Sequence, residues 1–300
     1  MKTSEISKEH KELAASYLEH RMRLGYAEKG CKSLYNYLLE FLGWMERYGV
    51  GDVRDANASH IRDYESYLRQ RPNKVIGGQL TEKSIYTHLK NASDFFEMLC
   101  ANGGLESNPC AGLEIARPRD NASRTALSRA ETELIYAAAE TGKERAILAM
   151  GYGCGLRVGE MVACNVEDVN LRDGILIVPR GKGNKRRAVP MSGGVKEALS
   201  EYLHNERFSR EKAFMLNERG RRMRKWTYNH RLQEIIERTG DQALIGKRIT
   251  THHLRHSIAT HLLESGVDVK QVQLFLGHYH LETTQVYTHI SQKQLEKLTL

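Results

Sequence analysis

The sequence predicts a mainly α-helical chain in two domains, the second an α+β domain with one small antiparallel sheet. Three observations carry this. Residues 8–104 run through segments of helical apolar period separated by stop signals. The stretch from Ser107 to Ala122 then loses its period and holds Pro109 and Pro118. Beyond it a single β-branched run, Ile175–Val178, is followed by a glycine-rich turn and a second short segment, Arg186–Pro190. The expected division is a helical domain over 1–107, a linker over 108–125 and a second domain over 126–300 with a tail from 291.

In the first domain Leu13, Tyr17 and Met22 mark one helix. Leu34, Tyr37, Leu38, Phe41 and Leu42 mark the next, which ends near Tyr48-Gly49. Asn57 and Ser59 suit the cap of a third helix running through Leu68, and Arg71-Pro72-Asn73 breaks it. Leu80-Thr81 opens a fourth, with Ile85, Leu89, Phe95, Phe96 and Leu99 inside and Asn102-Gly103-Gly104 as its stop. Helices joined this closely pack as a bundle of about a hundred residues, an ordinary domain size.

The second domain opens on a capping box, Ser128-x-x-Glu131, ahead of an apolar helix. A helix over Glu144–Tyr152 leads to Gly153-Cys154-Gly155-Leu156-Arg157, whose glycines allow elements to approach closely, and another helix starts around Arg157. Residues 174–190 read as a hairpin, Val195–His204 and Thr227–Thr239 as helices, and 218–225 (ERGRRMRK) as a charge run. Ile258, Leu262 and Leu263 place a helix over Thr251–Glu264, stopped by Ser265-Gly266. Val269–Leu276 follows as a helix ended by Gly277-His278, and a short helix is expected over Thr283–His289.

Composition bounds the partners. The net charge is +8 over 300 residues, with 40% apolar content, as a folded chain should have. Residues 1–119 carry 17 Lys/Arg against 16 Asp/Glu, whereas residues 120–300 carry 28 against 21. So basic a half-chain points to a polyanion. No apolar run approaches the ~18 residues of a membrane span, and the charged N-terminus does not resemble a secretion signal, so a cytoplasmic location is expected. The five cysteines, Cys31, Cys100, Cys110, Cys154 and Cys164, lack C-x-x-C spacing and are expected to be reduced.

Residues 250–290 concentrate the chemistry: TTHHLRHSIATHLLESGVDVKQVQLFLGHYHLETTQVYTHI. His252 and Arg255 share a helix face, His278 follows in a turn and Tyr287 lies beyond it. Arginine presents a fixed, charged fork to phosphate oxygens. Histidine exchanges a proton near neutral pH. A tyrosine, with a free pKa of about 10, becomes a nucleophile when a base and cations surround it. The order H-H-L-R-H-S, L-G-H, Y-T-H resembles the C-terminal signature of the tyrosine recombinases, the phage integrase family. G-L-R-V-G-E matches that family's first arginine motif and G-K-G-N-K its hairpin lysine, so the resemblance covers residues 126–290. The Asn108-Pro109 stretch resembles the linker of its Xer-type members.

The resemblance implies catalytic roles for Arg157, Lys182, His252, Arg255, His278 and Tyr287, with Glu160 in support. Two guanidinium groups would stabilise charge on the non-bridging phosphate oxygens. Lys182 would protonate the departing 5′ oxygen, although Lys185 stands close enough to compete for that role. His252 would act as base or hydrogen-bond partner, His278 as donor, and Tyr287 as the nucleophile that forms a 3′ phosphotyrosine. It also implies a SAM-like helical core-binding first domain and double-stranded DNA recombination sites as partners. The chain would be a monomer when free and a tetramer on paired sites, with Leu295 and Leu298 of the tail docking on a neighbour. No cofactor or metal is implied, and the sequence holds no G-x-x-x-x-G-K-[ST] loop.

Rival readings attach to particular residues. His252, His256 and His261 approach zinc-ligand spacing, but no cysteine or carboxylate stands at a partnering distance and the metalloprotease glutamate is missing. A type IB topoisomerase resembles the family in its catalytic residues. Glu264–Asp268 between two helices looks like a helix-turn-helix, which a non-catalytic DNA binder would use. Arg221, Arg222, Arg224 and Lys225, with Lys185, are the expected phosphate contacts. Whether the task is integration, excision, inversion or dimer resolution stays open.

Overall fold

The computed structural model describes residues 6–26, 28–73, 77–118, 126–178 and 186–277. The chain divides into two compact units, Met1–Asn121 and Ala122–Leu300. The first unit holds α1 (Lys8–Arg23), α2 (Glu28–Arg47), α3 (Ala58–Gln70) and α4 (Glu82–Ala101). Side-chain oxygens start three of them: Ser7 accepts from the His10 N–H, Asn57 from those of Ser59 and His60, and Thr81 from that of Ser84. Each satisfies a donor that the first turn leaves unpaired.

Tyr17, Leu38, Phe41, Leu42, Met45, Tyr64, Leu68, Phe95 and Phe96 fill the core of this unit. Two of its buried polar side chains pair in series: the Tyr17 hydroxyl donates to Asn91 Oδ1 at 3.0 Å, and Asn91 Nδ2 donates to the Leu34 carbonyl at 2.9 Å. Met22 lies in α1, as its spacing suggests, and is 46% exposed near the end of that helix. The stretch expected as linker begins differently, because Cys110 is buried in this core and Leu113 and Ile115 pack against it. Apolar side chains at 110, 113 and 115 had somewhere to go.

The second unit starts with α5 (Arg129–Ala137) and α6 (Gly142–Leu148), which passes into a π-helical turn over Ala149–Gly153. Next come α7 (Val158–Ala163) and a three-stranded antiparallel sheet in the order β1 (Val169–Asn170), β2 (Ile175–Val178), β3 (Arg187–Pro190). Leu176 faces Val169 on one side and Val189 on the other, and Val178 pairs with Arg187. The remaining α-helices among the described residues are α8 (Gly193–Glu201), α9 (Lys225–Arg238), α10 (Gln242–Gly246), α11 (Thr251–Glu264) and α12 (Val269–Leu276). β1 and α10 were not expected. Two residues of strand and five of helix are too short to show a period.

Helix α11 runs through the core of this unit. Leu254, Ile258 and Leu262 are buried in it, while Leu263 is 43% exposed. Glycines let α11 approach: a Cβ on Gly151 would stand 3.0 Å from Leu254 Cδ1. His261 fixes the register, its Nε2–H donating to the Leu127 carbonyl and its Nδ1 accepting from the Tyr152 hydroxyl, both at 2.8 Å. Burial lowers its proton affinity, in keeping with a neutral ring. Ser257 Oγ accepts from the Leu127 N–H at 2.8 Å, so the start of the unit is tied to α11 twice.

Candidate active site

Arg157 stands at the N-cap of α7 in extended conformation, φ −69° and ψ 148°. Gly155 places it there. With φ +57°, a Cβ on Gly155 would stand 2.8 Å from Leu276 Cδ2 and 3.0 Å from Phe275 Cε1, so only glycine lets α12 close over this turn. Its carbonyl accepts from Arg255 Nη1, and the Leu276 carbonyl accepts from Arg255 Nη2. One buried arginine thus holds the Arg157 turn and the end of α12.

Glu160 lies at the centre, its side chain 5% exposed. Its Oε1 accepts from Arg157 Nη1 and from Arg187 Nη1, each at 2.9 Å. Its Oε2 accepts from the Arg157 N–H and from Arg187 Nη2, each at 2.8 Å. Arg255 Nη1 stands 3.7 Å from Oε2, an ion pair beyond hydrogen-bond distance. Burial alone would raise the Glu160 carboxyl, but the bonds and charge of Arg187, the Arg157 N–H and the charge of Arg255 hold it down at about 2. Burial chiefly, then the charges of Arg157 and Arg187, lower Arg255 to about 9 against the opposing pull of Glu160. It stays charged at neutral pH.

Three guanidinium groups therefore face one carboxylate, and positive charge is in excess. Arginines in so buried a setting need an anionic or hydrogen-bonding partner. Glu160 and the two carbonyls already answer much of that need, and the surplus is what remains for a ligand. An oxyanion with several equivalent oxygens, such as a phosphodiester, suits such a surplus.

Arg187 was missed from sequence. Its Nε donates to the Phe275 carbonyl at 3.2 Å, and its side chain is 12% exposed. A signal existed: Arg187 shares a strand face with Val189, which is fully buried, and an inward arginine needs an acid.

The other expected residues fall in three groups. His252 is exposed in the first turn of α11, one turn before Arg255. Arg221, Arg224 and Lys225 are exposed, and a Cβ on Gly159 would lie 3.7 Å from the Lys225 ammonium, which places that charge over the first turn of α7. Arg222 turns inward, donating to the carbonyls of Val162 and Cys164 at 2.7 and 3.3 Å and to Asn165 Oδ1 at 2.7 Å. Lys182, Lys185, His278 and Tyr287, together with the expected helix over 283–289 and the tail, lie outside the described residues. Among the described residues no group of three His, Cys, Asp or Glu side chains could hold a metal ion, and both ring nitrogens of His261 are engaged by protein.

Comparison with known proteins agrees with this geometry. Residues 125–294 match the phage integrase family. The chain is 33% identical over 274 residues to the tyrosine recombinase XerD of Pseudomonas putida, covering 86% of this chain and 85% of that one. The Tn1549 transposon integrase in complex with circular intermediate DNA shares the fold, with TM-score 0.71, 19% identity and coverage of 90% and 92%. So does a lambda integrase in a tetramer bound to a Holliday junction, with TM-score 0.66, 19% identity and coverage of 93% and 80%. The cluster of arginines around one buried glutamate is thus found on a chain that belongs to the phage integrase family, the tyrosine recombinases.

Proposed function

We propose that this site-specific DNA recombinase acts through Tyr287, whose oxygen attacks the scissile phosphorus as the bond to the 5′ oxygen breaks. His252 takes the tyrosine proton, and Lys182 delivers one to the departing 5′ oxygen. The product is a 3′ phosphotyrosyl ester and a free 5′ hydroxyl. The ester keeps the energy of the broken bond, so attack by another 5′ hydroxyl reverses the step without ATP. Arg157 and Arg255 hold the non-bridging oxygens, His278 donates to one of them, and Glu160 fixes the arginines. The observation that carries this reading is the surplus of guanidinium charge around Glu160, set beside exposed His252.

Duplex DNA is the partner, and Arg221, Arg224 and Lys225 contact its phosphates beside the reacting one. The first unit, through Ile115, supplies a second DNA-binding domain, the stretch after it joins it to the catalytic domain, and residues 291–300 dock on a neighbouring protomer. The functional assembly is a tetramer on paired sites, in analogy with the lambda integrase tetramer bound to a Holliday junction. Among the described residues no helix is long and apolar enough to cross a membrane, and the protein works on DNA in the cytoplasm. DNA relaxation and non-catalytic binding are not favoured, since the relative named above is a recombinase and a pure binder has no use for the arginine cluster.

The nucleophile is the point to test. Tyr287→Phe removes one oxygen, so duplex binding should survive while covalent adduct on a nicked suicide substrate disappears. Mass spectrometry of the wild-type adduct should find the nucleotide on the peptide containing Thr283–His289. An adduct retained by Tyr287→Phe, or mapped to Ser257 or Tyr279, would overturn the mechanism.

A further inference from the structure

A carboxylate offers about four lone-pair sites, and in Glu160 four donors fill them: two from Arg187, two from Arg157. Arg255, at 3.7 Å from Oε2, is the next donor in line and is kept out. Arg187 itself is not aimed at a ligand. Both its terminal nitrogens are on Glu160 and its Nε is on the Phe275 carbonyl, where it anchors the end of α12. Gly277 makes room for it, because a Cβ there would stand 3.0 Å from Arg187 Cδ and Nη1.

We propose that Arg187 is a positioning residue that saturates the Glu160 carboxylate and so leaves for the scissile phosphate the N–H donors of Arg157 and Arg255 that Glu160 and the Gly155 and Leu276 carbonyls do not already hold. The inference rests on the reaction proposed above. Without Arg187 a buried anion would regain two open acceptor sites beside Arg255 and Arg157. Arg255 and the remaining donors of Arg157 would then be drawn to the carboxylate, which competes with the phosphate for the same forks. Arg187 thus acts on the reaction through Glu160, and the harm done by its loss comes from the charge of Glu160.

That dependence separates positioning from mere structural support. Arg187→Ala should lower the single-turnover rate of adduct formation by about a hundredfold, the scale of one lost oxyanion donor, with duplex affinity within about twofold. Adding Glu160→Gln removes the competing charge, so the double variant should recover at least about tenfold over Arg187→Ala, a coupling of neighbours rather than additive loss. Arg187→Lys keeps a cation on one carboxylate oxygen and carries the test if the alanine variant fails to fold, as thermal melting would reveal. It should lose about tenfold and also gain from Glu160→Gln. An Arg187 variant that cleaves like wild type, or a double variant no faster than its Arg187 parent, overturns the inference. Wild-type protein that makes no adduct in the same assay counts instead against the proposed reaction.

Discussion

Glu144 and Glu160 each stand at the third position of a helix, each is buried, and each is met by an arginine from far along the chain. Yet their surroundings differ. Glu144 accepts from the N–H groups of Glu140 and Thr141 and from Arg238. Nearby Arg145 is taken by Glu201, and Arg238 also reaches Glu140, so acid and base balance. At Glu160 three arginines converge on one carboxylate. Local sequence makes these two helix starts look alike. The charge left over after pairing makes one a brace and the other a site for an anion.

The widest separation should come from removing charge at each. Arg255→Ala should lower adduct formation about a hundredfold to a thousandfold, because the transition-state oxyanion loses a donor. Glu144→Ala should leave cleavage per folded molecule unchanged, while costing about 2 kcal/mol of stability for the lost charged hydrogen bonds, since half-exposed Arg238 keeps Glu140. Single-turnover cleavage and denaturant melts on both variants check this together. Cleavage lost with Glu144→Ala in fully folded protein would erase the contrast.

Much of this was legible because caps and periods are local. Ser128, Asn57 and Thr81 start the helices expected of them, and Thr251–Glu264 has the bounds its apolar spacing gives. The motifs also led to Arg157, Glu160 and Arg255, which the fold brings together. Arg187 was lost among the basic residues Lys185, Arg186 and Arg187, since its partners Glu160 and Phe275 are 27 and 88 residues away and only tertiary packing chooses which arginine turns inward. The same held for Arg222, whose carbonyl partners are 60 and 58 residues distant and whose charged neighbours Arg221, Arg224 and Lys225 are exposed. Sequence identified the basic stretch and could not sort it by direction.

Acid sharpens the comparison further. Both carboxyls titrate below their ordinary range, Glu160 at about 2, burial being outweighed by Arg187 there and by Arg238 at Glu144. A depressed carboxyl contributes stability above its unfolded pKa of about 4.3, and that contribution fades as pH falls through the folded value. Wild-type stability should therefore decline between about pH 4.3 and the value of about 2 held by Glu160. Glu160→Gln cannot titrate, so its melting temperature should fall less from pH 5 to pH 3 than that of wild type. Equal slopes would mean that the Glu160 carboxylate is not held ionised by its arginines.

The smallest effect is the most diagnostic of what the cap of α7 is for. Thr141 caps α6 with a hydroxyl that accepts from the Glu144 N–H at 3.2 Å. Arg157 holds the same position before α7, where its side chain has no acceptor to offer. The backbone there is extended, as a serine cap requires, and Glu160 would keep its fork from Arg187. Arg157→Ser should then supply the missing acceptor and relieve the repulsion that Arg255 feels. A gain of up to about 1 kcal/mol is expected, roughly 2–4 °C for a unit of this size, together with loss of cleavage. A more stable, inactive protein would show that α7 begins with an arginine for chemistry at the expense of its own cap. A drop in melting temperature of the same size would instead make Arg157 a structural partner of Glu160, and the two helix starts would be alike after all.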